Sequence, residues 1–191
     1  MTSTETLEGG FANPAIDAAH AFRHVMDAMA RPGLIAEVTG AKPPAPLSIS
    51  AGVIILTLCD AETPVHLTGA HDCDAVRTWI AFHTSAPFVG AADAMFAVGT
   101  WADLGALSSY PIGTSEYPDR STTLIVESDK LETSGAILRG PGIKETAMLS
   151  LPEIATFTAN RALFPLGHDF IFTSGSRLAA LPRTTEVQPC T

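Results

Sequence analysis

Charged residues are scarce in this sequence of 191 residues, and lysine is the scarcest of them. Asp, Glu, Lys and Arg make up 16% of the chain, whereas about a quarter is usual for a globular domain. The three lysines, Lys42, Lys130 and Lys144, are scattered, and the formal net charge is −9. A chain without a basic cluster is a poor match for a phosphate backbone, which argues against nucleic-acid binding. A surface so poor in charge is typical of a protein covered by partners, so we expect an oligomer or a complex subunit.

Cysteine is also rare, and signals for export or membrane insertion are missing. Cys59, Cys73 and Cys190 form an odd set without motif spacing, which is typical of a reduced cytoplasmic protein and not of a disulfide framework. The first ten residues have neither a basic region nor an apolar stretch of the kind found in signal peptides. The longest apolar run, Gly52 to Cys59, is too short to cross a bilayer. We therefore expect a cytoplasmic protein that does not enter a membrane.

Several standard catalytic motifs are absent as well. The sequence contains no G-x-S-x-G, no Walker A motif and no G-x-G-x-x-G, so the usual hydrolase, P-loop and dinucleotide functions lack support. One region is rich in potential metal ligands, but none of their spacings is a recognised ligand spacing. These residues are His66, His71, Asp72, Cys73, Asp74 and His83. We predict no metal site and consider Asp72 and Asp74 to be helix-start residues.

What the sequence does contain is an alternation of helical and strand patterns, which predicts an α/β fold. Helices of about a dozen residues alternate with short strands, as expected for a three-layer sandwich around a mixed central sheet in a single domain, 1–191. Residues 1–12 are predicted to form a loose polar arm. The β-branched, apolar run Thr122 to Val126 predicts a buried central strand, and 133–138 is a candidate hairpin partner for it. Residues 48–58 are apolar all round and form either a buried helix capped by a serine or a strand.

The first helix has the clearest pattern. Asn13-Pro14 predicts its start, and Phe22, Val25, Met26 and Met29 recur at the spacing of one apolar helical face. Arg23 and Asp27 lie one turn apart and are predicted to pair in solvent.

Three groups of polar residues are candidates for chemistry. Arg183, Thr184 and Thr185 offer a guanidinium and two hydroxyls for an anion, although Arg183 could instead pair with an internal acid. His83 lies near a helix end, where it could act as a base, contact phosphate or simply favour the helix dipole. The turn Glu116-Tyr117-Pro118-Asp119-Arg120 could supply an acid or base beside an arginine. It could equally form a turn or a partner surface.

Seven phrases, which together span almost the whole chain, resemble one protein family in their order and spacing. They are Phe22–Gly33, Leu56–Val65, Phe82–Pro87, Glu116–Ile125, Leu138–Ile143, Phe164–Asp169 and Leu178–Thr185. The family that they resemble is PhnH, a subunit of the carbon–phosphorus lyase system.

The resemblance implies a fold, a complex and a reaction. The fold would be a reduced form of the PLP-dependent transferase fold without PLP, so we expect no cofactor. The protein would be a homodimer that joins the PhnG, PhnI and PhnJ subunits. With an accessory ATP-binding subunit, PhnG, PhnH and PhnI would convert MgATP and an alkylphosphonate into a ribose 1-phosphonate 5-triphosphate, with release of adenine.

The resemblance assigns no catalytic residue to this chain, because the nucleosidase-like step is attributed to PhnI. Some family members carry neutral residues in place of Glu116 to Arg120, which favours a turn or partner surface for that stretch. We therefore expect an accessory, non-catalytic subunit that could still contact a phosphonate or nucleotide. Two alternatives stay open. One is a stand-alone small-molecule enzyme or phosphate-binding module that uses Arg183, Thr184 and His83, and the other is a degenerate PLP enzyme.

Overall fold

A six-stranded mixed sheet forms the centre of the protein, and a computed structural model describes residues 8–190 of it. Within this range the α-helices are α1 (Pro14–Ala30), α2 (Ile49–Leu58), α3 (Asp74–Thr84), α4 (Trp101–Leu104) and α5 (Ala155–Ala162). The strands are β1 (Ala36–Glu37), β2 (Val65–Leu67), β3 (Phe96–Thr100), β4 (Thr123–Glu127), β5 (Ala136–Arg139), β6 (Ala147–Leu149), β7 (Asp169–Ser174), β8 (Arg177–Leu181) and β9 (Glu186–Gln188).

The order of the central sheet is β1-β8-β7-β4-β3-β2. Strands β2, β3, β4 and β7 are parallel, whereas β8 runs antiparallel to β7 and β1 runs antiparallel to β8. The predicted α/β architecture with a mixed sheet is confirmed. The predicted central strand is also confirmed, because β4 lies between β3 and β7 and its middle three residues are buried.

Alternate residues of each strand contribute to two separate hydrophobic cores, because successive side chains of a strand point to opposite faces of the sheet. Ile125 and Ile171 pack with α1, α2 and α3 on one face. Leu124, Val126 and Phe170 pack on the other face with α4, α5 and a small sheet of order β6-β5-β9. Helices therefore cover both faces of the central sheet, which explains why its strands read as continuous apolar runs.

The apolar segment 48–58 forms a helix, which settles the alternative that the sequence left open. Ser48 caps α2, because its side-chain oxygen accepts the backbone N–H of Ala51 at 3.1 Å. Gly52 lets Pro43 approach α2 closely, since a Cβ at position 52 would lie 2.7 Å from the Pro43 side chain. No helix within residues 8–190 combines the length and the apolarity that crossing a bilayer requires.

Three local predictions were wrong. The segment 133–138 does not pair with β4, because both sides of β4 are occupied by parallel neighbours, and β5 pairs with β6 and β9 instead. The predicted face of α1 is wrong in part: Val25 is buried and Met29 packs against the core, but the large side chains of Phe22 and Met26 point outward. Ala21 and Ala28 are buried instead. The buried face of α1 carries small residues, which allow α1 to pack closely on α2. This close packing explains why that face is the buried one.

The third wrong prediction concerns Asp27 and the partner of its carboxylate. Its salt bridge is with Arg31, at 2.9 Å, and not with Arg23. Of the predicted polar arm, residues 1–7 lie outside the described residues. The described remainder is bound to the domain: the carbonyl of Gly9 accepts the N–H of Lys42 at 2.8 Å, and that of Glu8 accepts the indole N–H of Trp79 at 3.0 Å.

The parallel strands give the sheet two distinct edges. We call the edge at which β2, β3, β4 and β7 begin the amino edge, and the edge at which they end the carboxyl edge. Because β8 is antiparallel, the residues that follow it also lie at the amino edge. The segment 113–122 and Arg183 therefore lie at the amino edge, and Glu127 and Thr173 lie at the carboxyl edge.

Candidate functional site

Arg183 is the centre of the polar cluster at the amino edge. Its Nε and Nη2 donate to the carboxylate of Asp169, with Nη2 at 2.6 Å from Oδ2. Its Nη1 donates to the carbonyls of Pro118 at 2.7 Å and Pro165 at 3.3 Å, and Nη2 also donates to the hydroxyl of Ser121. Since a guanidinium has five N–H groups, these acceptors use all of them.

This cluster connects three parts of the chain that are distant in sequence: the segment of Arg183 itself, the turn before β4, and the connection from α5 to β7. Asp169 begins β7, Pro118 belongs to the turn before β4, and Pro165 belongs to the loop after α5. The backbone N–H of Arg183 also donates to Asp169 Oδ1, at 2.8 Å. An anion could bind this guanidinium only by displacing Asp169, the Ser121 hydroxyl or a carbonyl oxygen. The internal acid that the sequence left open as a partner is therefore Asp169, and anion binding by Arg183 stays a prediction.

The two threonines that follow Arg183 differ in burial, and their role in anion binding stays a prediction. Thr185 is 2% exposed, its backbone N–H donates to the carbonyl of Pro182 at 2.9 Å, and its hydroxyl has no partner among the described residues. Thr184 is half-buried. The carbonyl of Thr184 lies close to Gly140, at 3.2 Å from where a Cβ would be.

The stretch Glu116 to Arg120 forms a turn with internal contacts, in addition to the hydrogen bond from Arg183 to Pro118. The N–H of Tyr117 donates to the hydroxyl of Thr114 at 3.0 Å, and the guanidinium of Arg120 lies over the Tyr117 ring at 4.0 Å. Gly113 is required before it, since its φ is +81° and a Cβ there would lie 2.6 Å from the carbonyl of Pro118. Glu116 and Asp119 are exposed. Their roles on a partner surface or in catalysis stay predictions.

His83 lies on α3 and shares none of the partners of Arg183. Its ring contacts Trp79 and Phe82, with centroids 5.0 Å apart in each case. Gly10 covers it, since a Cβ on that residue would lie 2.4 Å from the imidazole. These contacts make His83 part of the packing beneath residues 8–11. The structure does not bring His83 and Arg183 into one cluster.

Sequence reasoning missed a cavity at the amino edge. Its volume is about 420 Å³, and it is lined by Leu107, Tyr110, Ile112, Asn160, Leu163 and His168, among others. Asn160 fixes the backbone of His168 from both sides, since its amide accepts the His168 N–H at 2.8 Å and donates to the His168 carbonyl at 2.9 Å.

The His168 imidazole at the wall of this cavity is held neutral. It is 1% exposed, and burial is the main cause that lowers its pKa below the usual 6.5. The carbonyl of Thr122, 3.3 Å from Nδ1, partly opposes this effect. Burial likewise raises the pKa of Tyr110, whose hydroxyl donates to the carbonyl of Leu104 at 3.0 Å. The cavity therefore has a mostly apolar wall with a few neutral polar groups, as is usual for small-molecule pockets.

The carboxyl edge carries a second cluster that sequence reasoning also missed. Glu127 ends β4, and its carboxylate accepts the N–H of Ser48 at 2.7 Å and the hydroxyl of Thr173 at 2.9 Å. The Nε2 of His71 lies 4.0 Å from Glu127 Oε1. A signal for this site existed: an acid that follows a buried strand core of Leu-Ile-Val marks the edge where α/β proteins bind ligands.

The residues considered as metal ligands have separate partners in the structure and do not form one cluster. His66 Nδ1 lies 2.9 Å from the carbonyl of Val89, and Asp72 pairs with Arg77. The Arg77 guanidinium that hydrogen-bonds Asp72 lowers the pKa of this carboxyl. Within the described residues, no three His, Cys, Asp or Glu side chains lie together as candidate metal ligands.

Comparison with known proteins assigns the family. A model of the family described as bacterial phosphonate metabolism protein (PhnH) matches residues 9–188. A protein of Rhizobium meliloti (strain 1021), named alpha-D-ribose 1-methylphosphonate 5-triphosphate synthase subunit PhnH, is 41% identical over an alignment that covers 97% of this chain and 97% of its own. A protein of Stutzerimonas stutzeri, provisionally named the C-P lyase subunit HtxG, is 28% identical over 87% of this chain and 84% of its own. Because the match extends over nearly the whole domain, this chain belongs to the PhnH family of bacterial phosphonate metabolism proteins.

Proposed function

We propose that this protein is a subunit of a carbon–phosphorus lyase complex and contributes there to forming a ribose 1-phosphonate 5-triphosphate from MgATP and an alkylphosphonate. The observation that carries the proposal is the 41% identity, over 97% of both chains, to a protein named as a subunit of such a synthase. The relative with 28% identity is also named as a subunit of a C-P lyase.

The role within the complex that we propose is structural or accessory. In the polar cluster at the amino edge, all five N–H groups of Arg183 donate to acceptors within the protein and join three loops. This arrangement supports a structural role for the cluster. The nearby turn stacks Arg120 on Tyr117 and leaves that ring 41% exposed. Such a rigid, partly apolar turn suits contact with another subunit.

We propose that the protein is a homodimer that also binds PhnG, PhnI and PhnJ. The outer face of α1 supports the proposed dimer contact. Phe22 and Met26 lie one turn apart and are 46% and 50% exposed, and Ile16 on the same helix is 53% exposed. Ala15 and Ala19 are exposed beside them. Large apolar side chains on one helix stripe, flanked by alanines, would allow a second helix to approach closely. We propose this stripe as the contact with a second copy.

Two further proposals follow from the family resemblance. The fold would be related to that of the PLP-dependent transferases, and the protein would function without PLP. The site of action would be the cytoplasm, where the free thiols of Cys59, Cys73 and Cys190 would stay reduced.

Co-expression of the tagged chain with PhnG, PhnI and PhnJ of the same bacterium tests the proposed complex. We expect all three to be retained with the tagged chain and to elute with it as one species. A chain that elutes alone and retains none of the three would contradict the proposal.

Sedimentation velocity of the isolated chain tests the dimer contact on α1. We expect a dimer for the wild type and a monomer for the double variant Phe22→Glu, Met26→Glu. Phe164→Glu is the matched control, since Phe164 is 51% exposed but lies in the loop after α5. If the α1 variant stays dimeric but no longer retains PhnG, PhnI or PhnJ, the stripe contacts those subunits and not a second copy.

A further inference from the structure

His20 and His24 lie one turn apart on the exposed surface of α1. Of the six histidines in the chain they are the two that are exposed, since the other four are buried or half-buried. Residues four positions apart on a helix share one face, with their Cβ atoms about 5–6 Å apart. The H-E-x-x-H motif uses this spacing, because two histidines one turn apart can bind the same zinc ion. The segment His20-Ala-Phe-Arg-His24 has the spacing without the glutamate, so it offers two metal ligands and not a catalytic base.

Both of these histidines line one cavity of about 240 Å³ between α1 and the segment that follows β1, and Asp17 and Glu37 line it as well. The hydrogen bonds to these two carboxylates come from neutral donors. Asp17 Oδ2 accepts the backbone N–H of Asn13 at 2.8 Å, and Glu37 Oε1 accepts the hydroxyl of Ser176 at 3.2 Å. Among the described lining residues there is no lysine or arginine. Two carboxylates beside two imidazoles therefore give this cavity a potential that attracts cations.

The type of ligand selects the class of cation. Imidazole nitrogen suits Zn²⁺, Ni²⁺ and Cu²⁺, whereas Mg²⁺ and Ca²⁺ take oxygen ligands. No three His, Cys, Asp or Glu side chains within residues 8–190 lie together as a metal-binding group, so the protein offers such an ion two ligands here. We propose that His20 and His24 chelate one divalent transition-metal ion, of which Zn²⁺ is the representative, while Asp17 and Glu37 attract the cation to the cavity. Water fills the remaining coordination positions of the bound ion.

The histidine pair lies on the side of α1 away from the stripe proposed as the contact with a second copy. Phe22 and Met26 each follow one of the two histidines by two positions, which is a rotation of about 200° around the helix. A dimer formed through that stripe leaves the histidines accessible, so this inference depends neither on the dimer contact nor on the proposed complex. The expectation of no metal site was drawn from the residues between His66 and His83, and it overlooked the histidine spacing on α1.

Isothermal titration calorimetry with Zn²⁺ tests this site in the full chain carrying Cys73→Ser and Cys190→Ser, because accessible thiols also bind zinc. The titration is made at about pH 7.5, since the imidazole nitrogen that binds a metal must be unprotonated. We expect one Zn²⁺ to bind per chain, and Mg²⁺ at the same concentration to give no heat of binding. In NMR spectra recorded during the titration, the Hε1 signals of His20 and His24 should shift before those of the other histidines.

Removing either imidazole should break the chelate. His20→Gln and His24→Gln should each weaken Zn²⁺ binding by about tenfold or more, since even a residue that only supports a metal ligand contributes about 10–100-fold in affinity. The matched control is the double variant His24→Gln, Ala30→His, which keeps the number of histidines. Its imidazoles at positions 20 and 30 lie about 15 Å apart along the helix, too far to share one ion. Because Ala30 is exposed, this control should fold, and it should bind Zn²⁺ no better than His24→Gln.

Three results would overturn the inference. One is the absence of Zn²⁺ binding at millimolar concentration by the chain in which both histidines are intact. Another is undiminished binding in both His20→Gln and His24→Gln, since the ion would then be held elsewhere. The third is binding by the control as tight as with both histidines intact, since the spacing of the imidazoles would then not matter. Circular dichroism shows whether each variant is folded, and if one single variant fails to fold, the other decides, because each removes one ligand.

Discussion

Truncation of Arg183 should destabilise the fold strongly. The side chains of Arg183 and Asp169 are 11% and 20% exposed, so their ion pair is largely shielded from solvent. Removing one partner of a buried ion pair typically costs about 3–5 kcal/mol, and the residual exposure of this pair favours the lower end. Arg183→Ala would also leave the carbonyls of Pro118 and Pro165 without the donor that joins their loops. We therefore expect a loss of about 3 kcal/mol.

Thermal and urea unfolding would measure this loss. For a chain of this size, about 1 kcal/mol corresponds to a shift of roughly 2–4 °C, so Arg183→Ala should lower Tm by about 6–12 °C. Arg183→Lys keeps the charge but lacks the planar fork, and it should fall between the wild type and the alanine variant. Arg31→Ala is the matched control, because Arg31 and Asp27 are 57% and 56% exposed and such helix pairs contribute about 0.3–0.5 kcal/mol.

The reasoning would be refuted by one clear result. If Arg183→Ala unfolded at the same urea concentration as Arg31→Ala, the five hydrogen bonds would contribute no more than an exposed pair. A double-mutant cycle with Asp169→Asn would then show no coupling between positions 183 and 169. Coupling above about 1 kcal/mol would instead attribute the loss to the pair itself.

Three further predictions concern groups with clear chemical signatures. Because burial lowers the pKa of His168 in the folded state, the unfolded chain binds the additional proton as pH falls below about 6.5. The contribution of His168 to the free energy of unfolding should therefore be fully present above this pH and decrease below it. In His168→Gln, Tm should decrease less on acidification than in the wild type. Burial raises the pKa of the Cys59 thiol to about 12, whereas Cys190 is exposed and Cys73 is half-buried. In a Cys73→Ser background, a thiol reagent at neutral pH should therefore modify Cys190 rapidly and Cys59 only on unfolding, and Cys190→Ser should abolish the rapid phase. Added PLP should give no visible-range aldimine band; such a band, lost on borohydride treatment with modification of a lysine, would favour a degenerate PLP enzyme.

The sequence predicts the central architecture well because the strongest local signals agree with the tertiary structure. The buried strand β4, the start of α1 at Pro14 and the serine cap of α2 all follow from residue types and spacing. The wrong predictions have two causes, of which the first is that the sequence does not show which face of a helix is covered. The face of α1 that is buried was not the face with the largest apolar side chains, since close packing on α2 selected Ala21 and Ala28 instead. Periodicity identifies an apolar stripe but not the surface that covers it.

Pairing across the chain was the other limit. The segment 133–138 has strand character, but its partners β6 and β9 are short strands with weak patterns, and β9 lies about fifty residues away. The candidate sites failed to merge for the same reason. Arg183 and Asp169 meet because β7 and β8 form a hairpin, whereas His83 lies on α3, and no local spacing in the sequence carries this information.

The two polar clusters, one at each edge of the sheet, differ in how their polar groups are paired within the protein. Around Arg183 every donor has an acceptor within the protein, so the cluster holds loops together and a ligand would have to break existing bonds. At the other edge, the Glu127 carboxylate accepts the N–H of Ser48 and the hydroxyl of Thr173, and His71 Nε2 lies 4.0 Å from Oε1. A buried cluster whose groups are paired with one another stabilises the fold, and removing one member leaves its partners unpaired. Substitutions at Arg183 should therefore change stability.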